Sequence, residues 1–373
     1  MIKLMCIRLV MKKLFLTLTA LSAFLVFSAS CKKSADDVVA PTYTVPTTYN
    51  FTNVDFSEST TRLGMVTEMS NFMKNATTGV LDGQKLKDMF TNSNSPFTTA
   101  AYNSSGLQLK DQCFSLLQTD VNRYIDSLTK ASQSKLPASR GVAGVGASSA
   151  NAASKFALTA TGVNYAQVFN KSIMGGLICY QIVNNYLDAG ISNSVDNSSV
   201  ITGKGTAMEH NWDLAFGYWG VPIDFPTNKT GAKLWGSYTT QVDSGFHANK
   251  IFMDAFLKGR AAISNKDDKT KLELATIIMQ AFERVTGAAA LQEVKEVKES
   301  LSDNMQRNSR LSECYGFVYS LKYNPKRKIT DAQIDAILAL FPKNFYDLTL
   351  TDVNNIRDAI AKQYDFDSVK DIL

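Results

Sequence analysis

The chain of 373 residues has a formal net charge of +5, and 45% of its residues are hydrophobic. Residues 1–30 carry four basic residues and no acidic one, so the other 343 residues have a net charge of only +1. A nearly neutral protein of this length offers no electrostatic case for binding nucleic acid, and it can bury a large core as one big domain or two smaller ones.

The first thirty residues have the pattern of a secretory signal peptide. Basic residues up to Lys13 precede an apolar run from Leu14 to Phe27, and small residues occupy 28–30. A basic, then apolar, then small-residue segment is typical of an export signal. The apolar run is shorter than a typical membrane-spanning helix. We therefore expect residues 1–30 to be removed from the mature protein.

The residues "SASC" at 28–31 resemble the lipobox of bacterial lipoproteins. In that family the cysteine is lipidated and becomes the first mature residue, which implies lipidation of Cys31. An ordinary signal peptide with a chance cysteine is the alternative. The resemblance implies a cell-envelope location, as an outer-membrane lipoprotein facing the periplasm or the cell surface, held by lipid without a spanning helix. The Pro- and Thr-containing segment 31–50 predicts an extended tether.

Helical periodicity dominates the region 51–373, where apolar residues recur three and four positions apart. Residues 163–188 are apolar on several sides, which predicts a central buried helix. Other helices are predicted at 63–73, 114–128, 246–264, 270–297, 302–321, 330–341 and 351–364. No segment shows convincing alternation of period two. The sequence therefore predicts an all-α fold, a multi-helix bundle built as one body or as two packed halves.

Two segments interrupt the helical pattern. Residues 132–160 are rich in Gly, Ala and Ser, which predicts a long mobile loop. Residues 221–245 are also irregular, but their aromatic residues suggest a segment that packs over the domain. Three cysteines, Cys113, Cys179 and Cys314, lie in apolar helical patterns. Buried free thiols are the favoured interpretation, and one disulfide is the alternative in an oxidising compartment.

The stretch 207–220, "AMEHNWDLAFGYWG", contains one of only two histidines in the chain. On a helix, Glu209, His210 and Asp213 lie at 0°, 100° and 40°, because each residue turns by 100°. One third of the helix surface then carries two carboxylates and an imidazole, which are common ligands of first-row metals. The three residues are our candidate site for a divalent metal ion or a small ligand. The alternative is a polar network that only fixes helix register.

The motif also carries resemblances to known families. Together with "FMDAFLKGRAAI" at 252–263 and "RLSECYGFVYSLKYN" at 310–324, it resembles a lipoprotein family of unknown function common in Bacteroidota. More distantly, His210-x-x-Asp213 before "AFGYWG" is similar to the His-x-x-Glu and Leu-Phe-Gly signature of imelysin-like proteins, with Asp213 where that signature has Glu. The second resemblance implies an all-helical envelope protein linked to iron uptake.

A triplet of aromatic, glycine and aromatic residues occurs twice, at 216–218 and at 315–317. Each triplet lies on a predicted helix and follows an acidic residue, Asp213 or Glu313. An internal duplication is one interpretation, and chance is the other.

Two functions are compatible with these patterns. The first is a lipid-anchored binding protein that holds a metal ion or small ligand near the acid–histidine motif. The second is an interaction protein whose motif is structural and whose surface binds a partner or a glycan. An enzyme is a third and weaker hypothesis, because a metallopeptidase needs a closed ligand set and a general base, and His247 would have to join the site across 36 residues.

Overall fold

The structure is a computed structural model that describes residues 42–373. The predicted signal peptide, Cys31 and most of the predicted tether lie outside the described residues. Residues Val45–Leu373 form one compact unit. Within the described part of the chain, no helix has the length and apolar character needed to cross a membrane.

Thirteen α-helices and one pair of strands make up most of the regular structure of residues 42–373. In chain order the helices are α1 (Ser57–Met73), α2 (Gly83–Thr91), α3 (Ala100–Asn103), α4 (Ser115–Ser132), α5 (Tyr165–Ile173), α6 (Ala207–Trp219), α7 (Trp235–Gln241), α8 (Asp243–Phe246), α9 (Ala248–Ser264), α10 (Asp268–Glu299), α11 (Asn304–Ser320), α12 (Asp331–Leu338) and α13 (Leu350–Gln363). The strands β1 (Gly144–Ala147) and β2 (Lys155–Leu158) pair antiparallel. The predicted all-α bundle is confirmed.

The central buried helix is longer than α5 alone, because two wider π-helical stretches, Met174–Cys179 and Gln181–Tyr186, continue it. The long predicted helices are all present, from α1 and α4 to α9–α13. Thr330 and Gln333 form a capping box at the start of α12. The sequence misses α2, α3, α7 and α8, since helices of four to nine residues are too short to show a clear period.

Helix α10 organises the packing of the domain. Its 32 residues span about 48 Å, and it lies against α9, α11 and α13. Helix α11 in turn packs on α5, and α5 packs on α4, while α6 contacts α1 and α9. The small residues 287–290 allow close approach, and the Tyr364 ring lies directly against Gly287. The three cysteines are buried and free, as the favoured interpretation predicts.

The compact unit begins at Val45, so the predicted tether boundary at residue 50 is wrong by several residues. Tyr49 is buried, and its ring stacks on Phe216 with a centroid separation of 3.7 Å. Its backbone N–H donates to the carbonyl of Ile223 at 2.8 Å. Aromatic surface of this size is stabilising when it is removed from water, so the end of the segment predicted as a tether belongs to the core.

The predicted loop 132–160 contains regular structure, which corrects the sequence-based interpretation. The two strands form a hairpin, and Ser148 and Ala150 at its turn both donate to Asp303 Oδ2, at 2.5 and 3.3 Å. The glycine at 146 faces the Met305 side chain. Small residues therefore serve here to let the hairpin lie close to the start of α11.

Replacing Asp303 with alanine tests whether this hairpin is held in place. Asp303 also caps α11 by accepting from the N–H groups of Met305 and Gln306. We expect a loss of about 2–3 kcal/mol in the free energy of unfolding, from the lost cap and the lost hydrogen bonds to a charged group. Limited proteolysis should also cut residues 144–158 faster.

The matched control is Asp82→Ala, because Asp82 caps α2 but holds no second segment. We expect this variant to lose only about 1 kcal/mol in chemical denaturation. Equal losses for the two variants, with unchanged proteolysis, would show that the hairpin is not anchored through Asp303.

Candidate functional site

The acid–histidine motif lies in the first turns of α6. Thr206 caps the helix by accepting from the Glu209 N–H at 3.2 Å, and Glu209 Oε2 accepts from the Thr206 N–H at 2.8 Å. This reciprocal pair is a capping box. It fixes the start of the helix, and with it the directions in which the three candidate side chains point.

Glu209 and Asp213 share one face of α6, as the helical angles predict, and they meet on Arg260 of α9. Arg260 Nη1 lies 2.6 Å from Glu209 Oε1, and Arg260 Nε lies 2.9 Å from Asp213 Oδ1. The Arg260 and Asp213 side chains are almost fully buried, at 1% and 0% exposure. Buried charges of this kind must be paired, since an uncompensated charge inside a protein is strongly destabilising.

Neighbouring side chains complete this buried ion network. Tyr49 donates its hydroxyl to Asp213 Oδ1 at 2.7 Å, and Ser264 donates to Glu209 Oε1 at 2.6 Å. The guanidinium also lies over the ring of Phe51, 5.2 Å from the centroid. We call Tyr49, Glu209, Asp213, Arg260 and Ser264 the Arg260 network. It joins the start of the domain to α6 and α9.

His210 does not join the Arg260 network. It is half-buried and lies among Asp55, Glu58 and Lys204. Burial and the nearby Lys204 lower the pKa of His210, and together they outweigh the two carboxylates. His210 Nδ1 is buried and has no hydrogen-bond partner among the described side chains and backbone. A 100° turn of the helix is enough to direct this imidazole towards the segment before α1.

The arrangement favours the structural interpretation of the motif over the metal site. The Arg260 guanidinium supplies, between Glu209 and Asp213, the positive charge that the metal hypothesis assigns to a cation. No three His, Cys, Asp or Glu side chains between residues 42 and 373 are grouped so that they could hold a metal ion. His247 is exposed at the other end of α9, about 20 Å along the helix axis from Arg260.

Two carboxylates share one guanidinium in this network, so their pKa values differ. Asp213 is the carboxyl group that keeps its proton more readily. Burial raises the pKa of Asp213 to about 7 despite Arg260 and the Tyr49 hydrogen bond. The pKa of the more exposed Glu209 lies below its usual value, because hydrogen bonds from Ser264 and Thr206 and the charge of Arg260 outweigh burial. Asp213 Oδ2 has no partner within the described residues, so it can carry the proton of the neutral acid.

We expect Asp213→Asn to change how stability depends on pH. The pKa of Asp213 is about 7 in the folded protein and about 3.9 when unfolded, so the folded state holds the proton more tightly. The stabilising contribution is complete below pH 4 and is lost as pH rises towards 7, by at most about 1.4 kcal/mol per pH unit. Denaturation at several pH values should show this loss as a decrease, with rising pH, in the free energy of unfolding of the parent relative to that of the variant. A constant difference would contradict it.

A second buried ion cluster lies on α11. Glu313 Oε1 accepts from Lys171 Nζ at 2.5 Å and from the Tyr238 hydroxyl at 2.8 Å. Arg310 contacts Glu313 at 3.4 Å and Glu296 at 2.7 Å. The nearby carboxyl of Glu293 has a pKa of about 9, raised by burial and then by Glu313. Arg310 and Lys171 are thereby balanced by Glu296 and Glu313.

The two aromatic–glycine–aromatic triplets occupy comparable places beside these two ion clusters. A Cβ on Gly217 would lie 2.6 Å from Phe56 Cβ, and one on Gly316 would lie 2.9 Å from Lys171 Cβ. Each glycine therefore allows its helix to approach a neighbour closely. The triplets have a packing role in both places, and the duplication hypothesis stays a prediction.

A cleft of about 820 Å³ lies between the hairpin and the helices α1, α5 and α11. We call it the hairpin cleft. Four further clefts on the described surface have volumes of about 250 to 510 Å³. The polar lining of the hairpin cleft comprises Ser70, Lys74, Thr77, Thr78, Ser154, Lys155, Asn164, Gln167, Asn170, Gln306, Ser309 and Arg310. Its apolar lining includes Met73, Leu128 and Phe156.

Comparison with known proteins identifies the family of the chain. Residues 43–367 match the family model described as "Domain of unknown function (DUF4856)". The chain belongs to this family. No curated protein and no solved structure matches it. The lipoprotein and imelysin-like resemblances stay predictions, and the functional argument for this DUF4856 chain depends on its own geometry.

Neither the role of Arg260 nor the hairpin cleft was predicted from the sequence. Thr206-x-x-Glu209 has capping-box spacing. This spacing indicates that one oxygen of the Glu209 carboxylate accepts a hydrogen bond from the backbone at the start of the helix. Arg260 lies 47 positions after Asp213 and has no local signature that pairs the two. The cleft is built from five separate segments, and one of them, 152–157, is part of the predicted mobile loop.

Proposed function

We propose that the protein is a lipid-anchored protein of the cell envelope whose helical domain binds a small polar ligand in the hairpin cleft. The observation that carries the ligand-binding part is the cleft itself. Its volume of about 820 Å³ is within the usual range for small-molecule sites. Apolar side chains such as Met73, Leu128 and Phe156 offer contact surface there, and the more numerous hydrogen-bonding side chains suit a polar ligand.

The anchor and the location are supported by the amino-terminal sequence. The apolar run 14–27 is followed by "SASC", and Cys31 is the residue that a lipobox would lipidate. The resemblances to Bacteroidota lipoproteins and to imelysin-like envelope proteins support the same location. We propose an outer-membrane position, facing the periplasm or the cell surface. In this proposal the residues from Cys31 to Thr44 link the anchor covalently to the compact unit.

Within this proposal the Arg260 network is structural and holds the tether end, α6 and α9 together. Its carboxylates are already paired, and His210 faces a different segment. The competing proposal is a divalent metal ion at Glu209, His210 and Asp213. The metal content of the full chain, purified without added metal, distinguishes the two. One equivalent of a divalent ion that is lost in His210→Ala would favour the metal site.

The ligand proposal is tested by filling the cleft from the hairpin side. Ala153 is exposed and lines the cleft, so Ala153→Trp should obstruct it while changing stability by no more than about 0.5 kcal/mol. The full chain in detergent is dialysed against the small-molecule fraction of a cell-envelope extract and is then weighed by native mass spectrometry. We expect an added mass on the parent that Ala153→Trp lacks.

Ala336→Trp is the matched control, because Ala336 is exposed on α12 and lines none of the five clefts described above. It should carry the same added mass as the parent. The proposal fails if the parent takes up nothing, or if the parent and both variants carry the same mass, since the ligand would then bind elsewhere.

A further inference from the structure

The chemistry of the hairpin cleft narrows the class of ligand, on the condition that the cleft binds one as proposed above. None of the described residues that line it is acidic. A cation in the cleft would therefore have no carboxylate in the lining to balance its charge. Its removal from water would then be unfavourable, because no ion pair would compensate for the lost hydration. The cleft excludes metal ions and ammonium groups as its main ligands.

An anion is also poorly matched, although three basic residues reach the lining. Arg310 is already balanced by Glu296, whose Oε2 lies 2.7 Å from Arg310 Nη2, and by Glu313. Lys74 and Lys155 are exposed to water at the rim. Exposed charges on long side chains contribute little to binding. The interior of the cleft has no unpaired cation that an anion needs.

The groups that remain are uncharged and can both donate and accept hydrogen bonds. Gln167 and Gln306 are half-buried in the cleft, and neither side-chain amide has a partner among residues 42–373. Asn170 Oδ1 accepts from Ser70 at 2.7 Å, which leaves the Asn170 NH₂ group to donate. Amide groups of this kind match ligands that carry many hydroxyls, because each hydroxyl also both donates and accepts.

An aromatic ring accompanies these amides. Phe156 on β2 lines the cleft and is only partly buried, and its side chain is not part of the main hydrophobic core. A half-exposed ring in a cleft offers an apolar face to a ligand. A pyranose ring presents both matching surfaces, since its C–H groups form an apolar face and its hydroxyls surround the edge.

We propose that the ligand of the hairpin cleft is a neutral saccharide. Its hydroxyls pair with the amides of Gln167, Asn170 and Gln306, and one ring face packs on Phe156. The hairpin forms one wall, so the saccharide lies between β2 and the start of α5 and α11. The ligand is bound without a covalent step.

A glycan array tests the class directly. The full chain, purified in detergent, is applied to a broad array that contains neutral and acidic glycans, and each retained glycan is titrated by calorimetry. We expect retention of neutral glycans. Phe156→Ala and the double variant Gln167→Ala with Gln306→Ala should each weaken binding at least tenfold. Gln133→Ala, an exposed glutamine outside the cleft, should leave the affinity unchanged.

Each outcome separates this inference from the proposal on which it rests. If no neutral glycan is retained, or if only acidic glycans bind, the saccharide class is wrong. If inorganic phosphate or a short peptide binds instead and Ala153→Trp abolishes that binding, the cleft is a ligand site but the saccharide class is overturned. If glycans bind and neither the Phe156 nor the glutamine variants weaken them, the assignment to the cleft is overturned.

Discussion

Replacing Arg260 with methionine is expected to lower the free energy of unfolding by about 3–5 kcal/mol at neutral pH. Removing one partner of a buried ion pair leaves the other charge buried and unpaired, which costs this amount in other proteins. Here Glu209 and Asp213 lose their common partner. Because Asp213 can take up a proton, as its raised pKa indicates, we expect a loss near the lower end of this range. Methionine keeps much of the side-chain volume, so the measured change reports mainly the loss of the charge and not a loss of packing. Chemical denaturation provides the measurement.

Two further variants make the result specific to the buried pair. Arg140→Met removes an arginine of 66% exposure that pairs with Asp347, and we expect a much smaller loss, because water screens an exposed ion pair. Adding Glu209→Gln and Asp213→Asn to Arg260→Met should recover part of the lost stability, because no buried charge is then left unpaired. If Arg260→Met and Arg140→Met were equally stable, the Arg260 network would not be structural.

Replacing Cys31 with serine should move the protein from the membrane fraction to the soluble fraction of the envelope. Serine has no thiol to receive lipid. Two or more lipid chains are needed for stable anchoring, so loss of the modified residue removes the whole interaction. Fractionation followed by immunoblotting measures the change.

Cys6→Ser is the matched control, because Cys6 precedes the apolar run and is part of the predicted signal. It should leave the protein with the membranes. Should Cys31→Ser stay with the membranes as firmly as the parent, the lipid anchor would be refuted, and another cause of membrane association would be required.

The long helices were predictable because each one repeats its apolar residues along a single local pattern. Helices α10 and α11 begin and end within a few residues of their predicted bounds. The hairpin 144–158 was not predictable from the same kind of pattern. Its small residues resemble a mobile loop, and its order depends on Asp303, which is more than 150 positions away from Ser148 and Ala150.

The candidate motif was half predictable for a similar reason. Helical angles correctly placed Glu209 and Asp213 on one face, because those angles are a local property. They also placed His210 within the same third of the helix surface. In the structure, however, the His210 side chain lies near Asp55 and Glu58 and not in the Arg260 network. Which groups a side chain contacts depends on the tertiary structure, and helical angles alone do not determine it. The partner that decides this site, Arg260, belongs to another helix.

We propose that the function of the protein lies in the hairpin cleft and that the acid–histidine motif is structural. Hydrogen–deuterium exchange of the full chain, with and without the small-molecule fraction of a cell-envelope extract, tests this most directly. We expect the ligand to slow exchange at 70–78, 152–157, 164–170 and 306–310, which line the cleft. Exchange at 207–213 and 260–264 should stay the same. Slower exchange at 207–213 and 260–264, without any change around the cleft, would contradict the account.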